Sequence, residues 1–133
     1  MSGRKILIID DEEKFCRAIK KALELKTDFQ VLTATQGEEG VRLAKTQKPD
    51  VILLDIMMPG MFGTQVAENL LEDPVTSSIP IIFVTAIVNQ QEIQGSNYIA
   101  GGHIFLAKPV SIAEVIKKIN EVLEIPFSGR LLY

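Results

Sequence analysis

The stretch Val51-Ile52-Leu53-Leu54-Asp55-Ile56-Met57-Met58-Pro59-Gly60 decides how the rest of this 133-residue chain is read. Four apolar residues in succession, two of them β-branched, predict a short strand buried on both faces, as in the centre of a parallel sheet. Asp55 ends the run, and a carboxylate there is expensive to bury unless it is paired or holds a metal. Pro59-Gly60 then dictates a turn, so Asp55 belongs at the carboxyl edge of the sheet, where open α/β sheets bind ligands.

Outward from this strand, similar short runs recur. Ile6-Leu7-Ile8-Ile9 is stopped by Asp10-Asp11-Glu12-Glu13 and reads as the first strand. Phe15, Ala18, Ile19, Ala22 and Leu23 then repeat at helical spacing up to about Lys26. Phe29 to Ala34 alternates apolar and polar residues, a less buried strand, and Thr35 with Glu38 resembles a capping box opening a second helix that stops before Pro49. Val66, Ala67, Leu70 and Leu71 mark a third helix limited by Pro74, followed by a polar loop at Thr76-Ser77-Ser78. Pro80 to Val84 is a fourth strand ending at Thr85-Ala86, Val88 to Ala100 a short or mobile fourth helix interrupted by Gly95, and His103 to Leu106 a fifth strand ending at Ala107-Lys108-Pro109. The last helix is the clearest: Ser111 and Glu114 form a capping box, and Ile112, Val115, Ile116, Ile119, Val122 and Leu123 hold the period.

Strands alternating with helices in this way predict an α/β fold: a doubly wound, five-stranded parallel sheet in the flavodoxin-like order 2-1-3-4-5, with helices on both faces. The length suits one domain, residues 1–125, with 126–133 as a tail or the start of a linker. A formal charge of −3 gives no basic field for nucleic acid, and 47% apolar with 23% charged residues is ordinary globular composition. The single cysteine, Cys16, lies among small and apolar helical positions and reads as a packed thiol. Without an apolar leader or a run of membrane-spanning length, the expected setting is cytoplasmic. His103, a lone histidine at a strand start, is given a structural role.

The order 2-1-3-4-5 puts the switch point between the first and third strands, so Asp10 and Asp11 face Asp55 across the crevice. Thr85 and Lys108 emerge from the fourth and fifth strands along the same edge. Close carboxylates repel, and a hard divalent cation with oxygen ligands keeps them ionised at low cost. Mg²⁺ suits a shallow cleft because it takes few protein ligands. Lys108 and Thr85 are not needed for metal binding, but with the metal they can surround the oxygens of a transferred phosphoryl group. Met57, Met58 and Met61 are read as loop packing, since thioethers suit soft metals.

Taken together, Ile-Ile-Asp10-Asp11-Glu12, Leu-Leu-Asp55-Ile-Met-Met-Pro59-Gly60, Val84-Thr85-Ala86 and Lys108-Pro109 resemble the receiver domain of two-component response regulators, from about Lys5 to Leu123. The resemblance implies that Asp55 accepts a phosphoryl group from a sensor histidine kinase or a histidine phosphotransfer protein. It implies that Asp10, Asp11, Asp55 and the main-chain carbonyl of Met57 hold Mg²⁺, with Asp10 direct or through water, and that Thr85 and Lys108 bind phosphoryl oxygens. The Lys108-Pro109 bond would be cis. Thr85 and the aromatic Phe105 would act as the switch, remodelling a face made by the fourth helix, fifth strand and last helix for a downstream output protein or domain. A homodimer formed on phosphorylation is among the partners so implied. Catalysis is limited to its own phosphorylation and slow dephosphorylation, so the chain is not classed as an enzyme.

Some positions depart from the family pattern. Phe105 has no hydroxyl to anchor either state, and Phe62 stands where an acidic residue is common, leaving the third helix without a side-chain oxygen cap and its ring as a candidate partner contact. The glutamine-rich 88–100 segment is also unusual. Rival readings of the same architecture fare worse. An FMN carrier needs a phosphate-cradling loop where this chain has Asp-Asp-Glu-Glu. An aspartyl phosphatase generally needs a second Asp two residues after the first, where Met57 stands. The alternative function is a degenerate receiver used as a phosphorylation-independent interaction module.

Overall fold

In the computed structural model, which describes residues 3–86 and 104–124, Val51–Leu54 forms a strand with every residue buried. The described elements are, in chain order, β1 (Lys5–Ile9), α1 (Glu13–Lys26), β2 (Gln30–Ala34), α2 (Gly37–Gln47), β3 (Val51–Leu54), α3 (Gly63–Glu72), β4 (Ile81–Thr85), β5 (Ile104–Ala107) and α4 (Ile112–Glu124). The sheet has five strands in the order β2-β1-β3-β4-β5, all pairs parallel. The helix expected over residues 88–100, His103 and the tail at 126–133 lie outside the described residues.

Burial explains why the strands read as continuous apolar runs. Alternate residues of each strand point to opposite layers. Ile6, Ile8, Val51, Leu53, Ile82 and Val84 pack with Cys16, Ile19 and Leu23 of α1 and with Val115, Ile119 and Val122 of α4. Leu7, Ile9, Ile52, Leu54, Ile81 and Phe83 pack with Ala44 of α2 and with Val66, Ala67 and Leu70 of α3. Both faces of the inner strands are therefore covered, and β2, at one edge, keeps a partly exposed pattern.

The helix boundaries follow the caps with one correction. Ser111 and Glu114 form the expected reciprocal box: the Glu114 N–H donates to Ser111 Oγ at 3.1 Å, and the Ser111 N–H to Glu114 Oε1 at 3.1 Å. The box expected at Thr35 and Glu38 does not form. Helix α2 begins one residue later, with Gln36 as N-cap and no side-chain cap hydrogen bond, which puts Glu38 at the second helical position, out of reach for the return bond. Thr76, assigned to a polar loop, is 1% exposed, and its hydroxyl donates to the Leu70 carbonyl at 2.6 Å, satisfying an end of α3. Helix α3 starts without a side-chain cap at Phe62, as expected, although the Phe62 N–H donates to Gln65 Oε1 at 2.9 Å.

Candidate phosphorylation and metal site

The edge of the sheet is assembled by backbone pairing before any side chain takes part. The Asp10 N–H bonds the Ala34 carbonyl of β2 at 3.0 Å, and the Asp55 N–H bonds the Ile9 carbonyl of β1 at 2.9 Å. These continue the ladders one residue beyond the strands and set the two aspartates side by side. The loop after Asp55 turns at Gly60, whose φ of +84° favours a residue without a Cβ. It then returns so closely that the Gly63 N–H donates to the Ile56 carbonyl at 2.7 Å. A Cβ on Gly63 would collide with the Asp55 carbonyl oxygen and come within 2.7 Å of Ile56 Cα. Gly63 is thus a residue the site requires, and its only sequence signal is a glycine opening a helical pattern.

Asp10 and Asp55 are buried, Asp11 is exposed, and one carboxylate oxygen from each lies within 4.8 Å of the others. Across the crevice, Lys108 directly follows β5 and is joined to Pro109 by a cis peptide bond. Its ammonium donates to Asp10 Oδ2 at 2.8 Å and to Glu12 Oε1 at 2.6 Å, and stands 4.0 Å from Asp55 Oδ2. Thr85 closes β4 with its backbone in register with Ala107, the residue before Lys108, and so belongs to the same edge; its side chain lies outside the described residues. Met57 follows on the loop, its backbone hydrogen-bonded to the Asp55 carboxyl. Phe105 lies on β5. Its ring stacks on Phe83 with centroids 5.0 Å apart, against the layer containing α2 and α3.

Electrostatics follow from this enclosure. Burial, reinforced by the Asp10 charge, pushes the Asp55 carboxyl up to about 6, against the pull of Lys108 and the Met57 N–H. Burial also raises Asp10, partly offset by hydrogen bonds from Lys108 and from the Glu12 N–H, the latter at 2.9 Å. For Lys108, burial acts downward, but the hydrogen bonds to Asp10 and Glu12 outweigh it and the ammonium is held more firmly. Cys16 is pushed up to about 12 by burial and the Asp10 charge, and donates to the Asp10 carbonyl at 3.3 Å, as a packed thiol does. Among the described residues, the carboxylates of Asp10, Glu12 and Asp55 share the Lys108 ammonium, and that of Asp11 adds a further negative charge beside Asp10 and Asp55. The surplus of negative charge and the hard oxygen donors fit a cation such as Mg²⁺.

Two neighbours of Lys108 were not legible as site residues. Glu12 stands in the acidic run that stops the first strand and in the receiver-like stretch, with no role of its own there, and Phe15, whose ring centroid is 4.2 Å from the Lys108 ammonium, is read only as part of the apolar helical period. No sequence pattern links them to a lysine 96 residues away from Glu12.

Comparison with known proteins agrees with this architecture. The family model described as the response regulator receiver domain matches residues 6–120. Protein PilH of Pseudomonas aeruginosa is 41% identical over 120 residues, covering 90% of this chain and 97% of that protein. Response regulator PleD of Caulobacter vibrioides is 36% identical over 92% of this chain, which spans only 26% of PleD. Among solved structures, the receiver domain of Francisella response regulator 1452 superposes with a TM-score of 0.79 at 29% identity, covering 92% of this chain and 98% of that one. Chemotaxis protein CheY4 of Vibrio cholerae gives 0.80 at 25%, covering 91% and 99%. Matched by the family model over most of its length and by a relative of nearly its own size, this chain belongs to the response regulator receiver domain family.

Proposed function

We propose that this receiver domain is a cytoplasmic phosphorylation switch whose acceptor is Asp55. The observation that carries the reading is the meeting of Asp10, Asp11 and Asp55 oxygens within 4.8 Å, with the Lys108 ammonium 4.0 Å from Asp55. A carboxylate oxygen of Asp55 attacks the phosphorus of a phosphohistidine on a sensor kinase or a histidine phosphotransfer protein. The O–P bond forms as the P–N bond breaks, and the imidazole leaves. Asp10, Asp11, Asp55 and the Met57 carbonyl are the groups that would hold Mg²⁺. Bound there, the ion supplies positive charge against the phosphoryl oxygens. Lys108 and Thr85 would bind those oxygens and keep the group aligned.

A dianionic group on Asp55 then biases the β4 and β5 edge between two arrangements, with Thr85 and Phe105 as the moving parts and an output protein as the reader. In this reading the chain's own catalysis stops at accepting the group and slowly losing it to water. A direct test is capture of partners on the immobilised chain, with and without beryllofluoride and Mg²⁺, a mimic of the phosphorylated aspartate. The switch reading expects a partner retained in only one state. The same partner held equally in both states, and by Asp55→Asn, would favour an interaction module that ignores phosphorylation.

A further inference from the structure

The Lys108 ammonium is held chiefly by two acidic neighbours. An ammonium offers three N–H groups; two go to Asp10 Oδ2 and Glu12 Oε1, and the remaining side faces the Phe15 ring 4.2 Å away and Asp55 Oδ2 at 4.0 Å. To turn fully toward an oxygen on a modified Asp55, the ammonium has to move from where Asp10 and Glu12 hold it, which loosens one of those two hydrogen bonds. The two carboxylates are not equivalent in this respect. The Asp10 side chain is 2% exposed, so leaving it unpaired strands a charge out of water, whereas that of Glu12 is 62% exposed and is rehydrated on release. The Glu12 backbone cannot follow the lysine. Its N–H is held by Asp10 Oδ1 at 2.9 Å, and its carbonyl accepts the Cys16 N–H at 3.0 Å as the N-cap of α1.

We propose that Glu12, with the ring of Phe15, forms a holding site for Lys108 that competes with the phosphoryl group, so that Glu12 is a positioning residue that slows phosphorylation of Asp55. The inference rests on the reading of Asp55 as the acceptor. Glu12 touches no reacting atom; it acts by occupying the cation that the reaction calls on.

The test compares initial rates of labelling by acetyl phosphate and Mg²⁺ in the full chain and in Glu12→Gln, Glu12→Asp and Glu13→Gln. Glu12→Gln removes the charge and leaves only the weaker amide oxygen as an acceptor. Glu12→Asp keeps the charge but withdraws the carboxylate by one methylene, and Glu13→Gln removes a neighbouring charge that pairs with Arg17 instead of Lys108. The holding site predicts that both Glu12 variants label about threefold faster than the unaltered chain, the scale of losing one exposed ion pair, and that Glu13→Gln does not. An unchanged or slower rate in Glu12→Gln, or Glu12→Asp behaving like the unaltered chain, overturns it. A second readout needs neither phosphoryl group nor metal: the nitrogen-15 NMR signal of the Lys108 ammonium, expected to be observable in the native chain because two carboxylates hold it, should broaden away in Glu12→Gln. Its persistence there would count against the holding site. Should the native chain fail to label at all, the acceptor reading falls, and this signal alone decides whether Glu12 holds Lys108.

Discussion

Replacing Asp55 by Asn should make this protein more stable, although it removes the residue on which the proposed function turns. The carboxyl is buried, beside the charge of Asp10, and is raised from the ordinary 3.8 to about 6. A folded-state value above the unfolded one means that folding favours the protonated form. The associated stability is fully present below about pH 3.8 and is lost as the pH climbs through about 6. The difference of about 2 units, at about 1.4 kcal/mol each, amounts to about 3 kcal/mol missing at pH 7. An amide carries no charge and escapes this loss. Urea unfolding of both proteins in chelator, to exclude divalent cations, should show Asp55→Asn ahead by up to about 3 kcal/mol at pH 7. About half of that advantage should remain at pH 5, and almost none below pH 4. An Asn variant no more stable than the native chain at pH 7, or an advantage independent of pH, would refute the claim that the site is kept electrostatically strained.

Other substitutions probe the parts around that carboxyl. Lys108→Ala strands Asp10 in the interior and should lower stability at pH 7 by about 3 kcal/mol, with recovery as the pH falls; in labelling assays it should still accept some phosphoryl group while partner affinity ceases to respond. Gly63→Ala forces a methyl against the Asp55 carbonyl and should reduce stability by about 1–3 kcal/mol in urea titration, with slower labelling because the acceptor loop has to shift. Ser111→Ala removes the cap of α4, a hydroxyl hydrogen-bonded to Glu114 and not to the site carboxylates, and should shift the unfolding free energy by about 1 kcal/mol while leaving the labelling rate unchanged.

Much of the fold was readable because the strands of a doubly wound sheet carry little but apolar residues. Val51–Leu54 and Ile6–Ile9 are each flanked by charge and turn residues, and their faces are divided between two helix layers, as the parallel-sheet reading requires. The strand order then decided which chain ends meet, and it brought Asp10, Asp11, Asp55 and Lys108 to one edge without knowledge of any distance. Patterns fail where tertiary contacts choose between equivalent local options. Thr35 with Glu38 spells a capping box, but the helix begins after Gln36, which no residue pattern marks as a cap. Thr76 looked like a solvated loop residue because its composition is polar, but a hydroxyl that caps a helix carbonyl can be buried at little cost. The grip of Glu12 and Phe15 on Lys108 joins residues from opposite ends of the chain, and nothing in either local sequence announces it.

Where a phosphoryl group lands tests the role of this crevice most directly. The native chain, incubated with acetyl phosphate and Mg²⁺ and mapped by peptide mass spectrometry after borohydride trapping, should carry a single modification at Asp55. Asp55→Asn, treated identically, should carry none. Equal modification of the Asn variant, or a native chain that stays unmodified with Mg²⁺ present, would contradict the assignment of this crevice as a phosphorylation site.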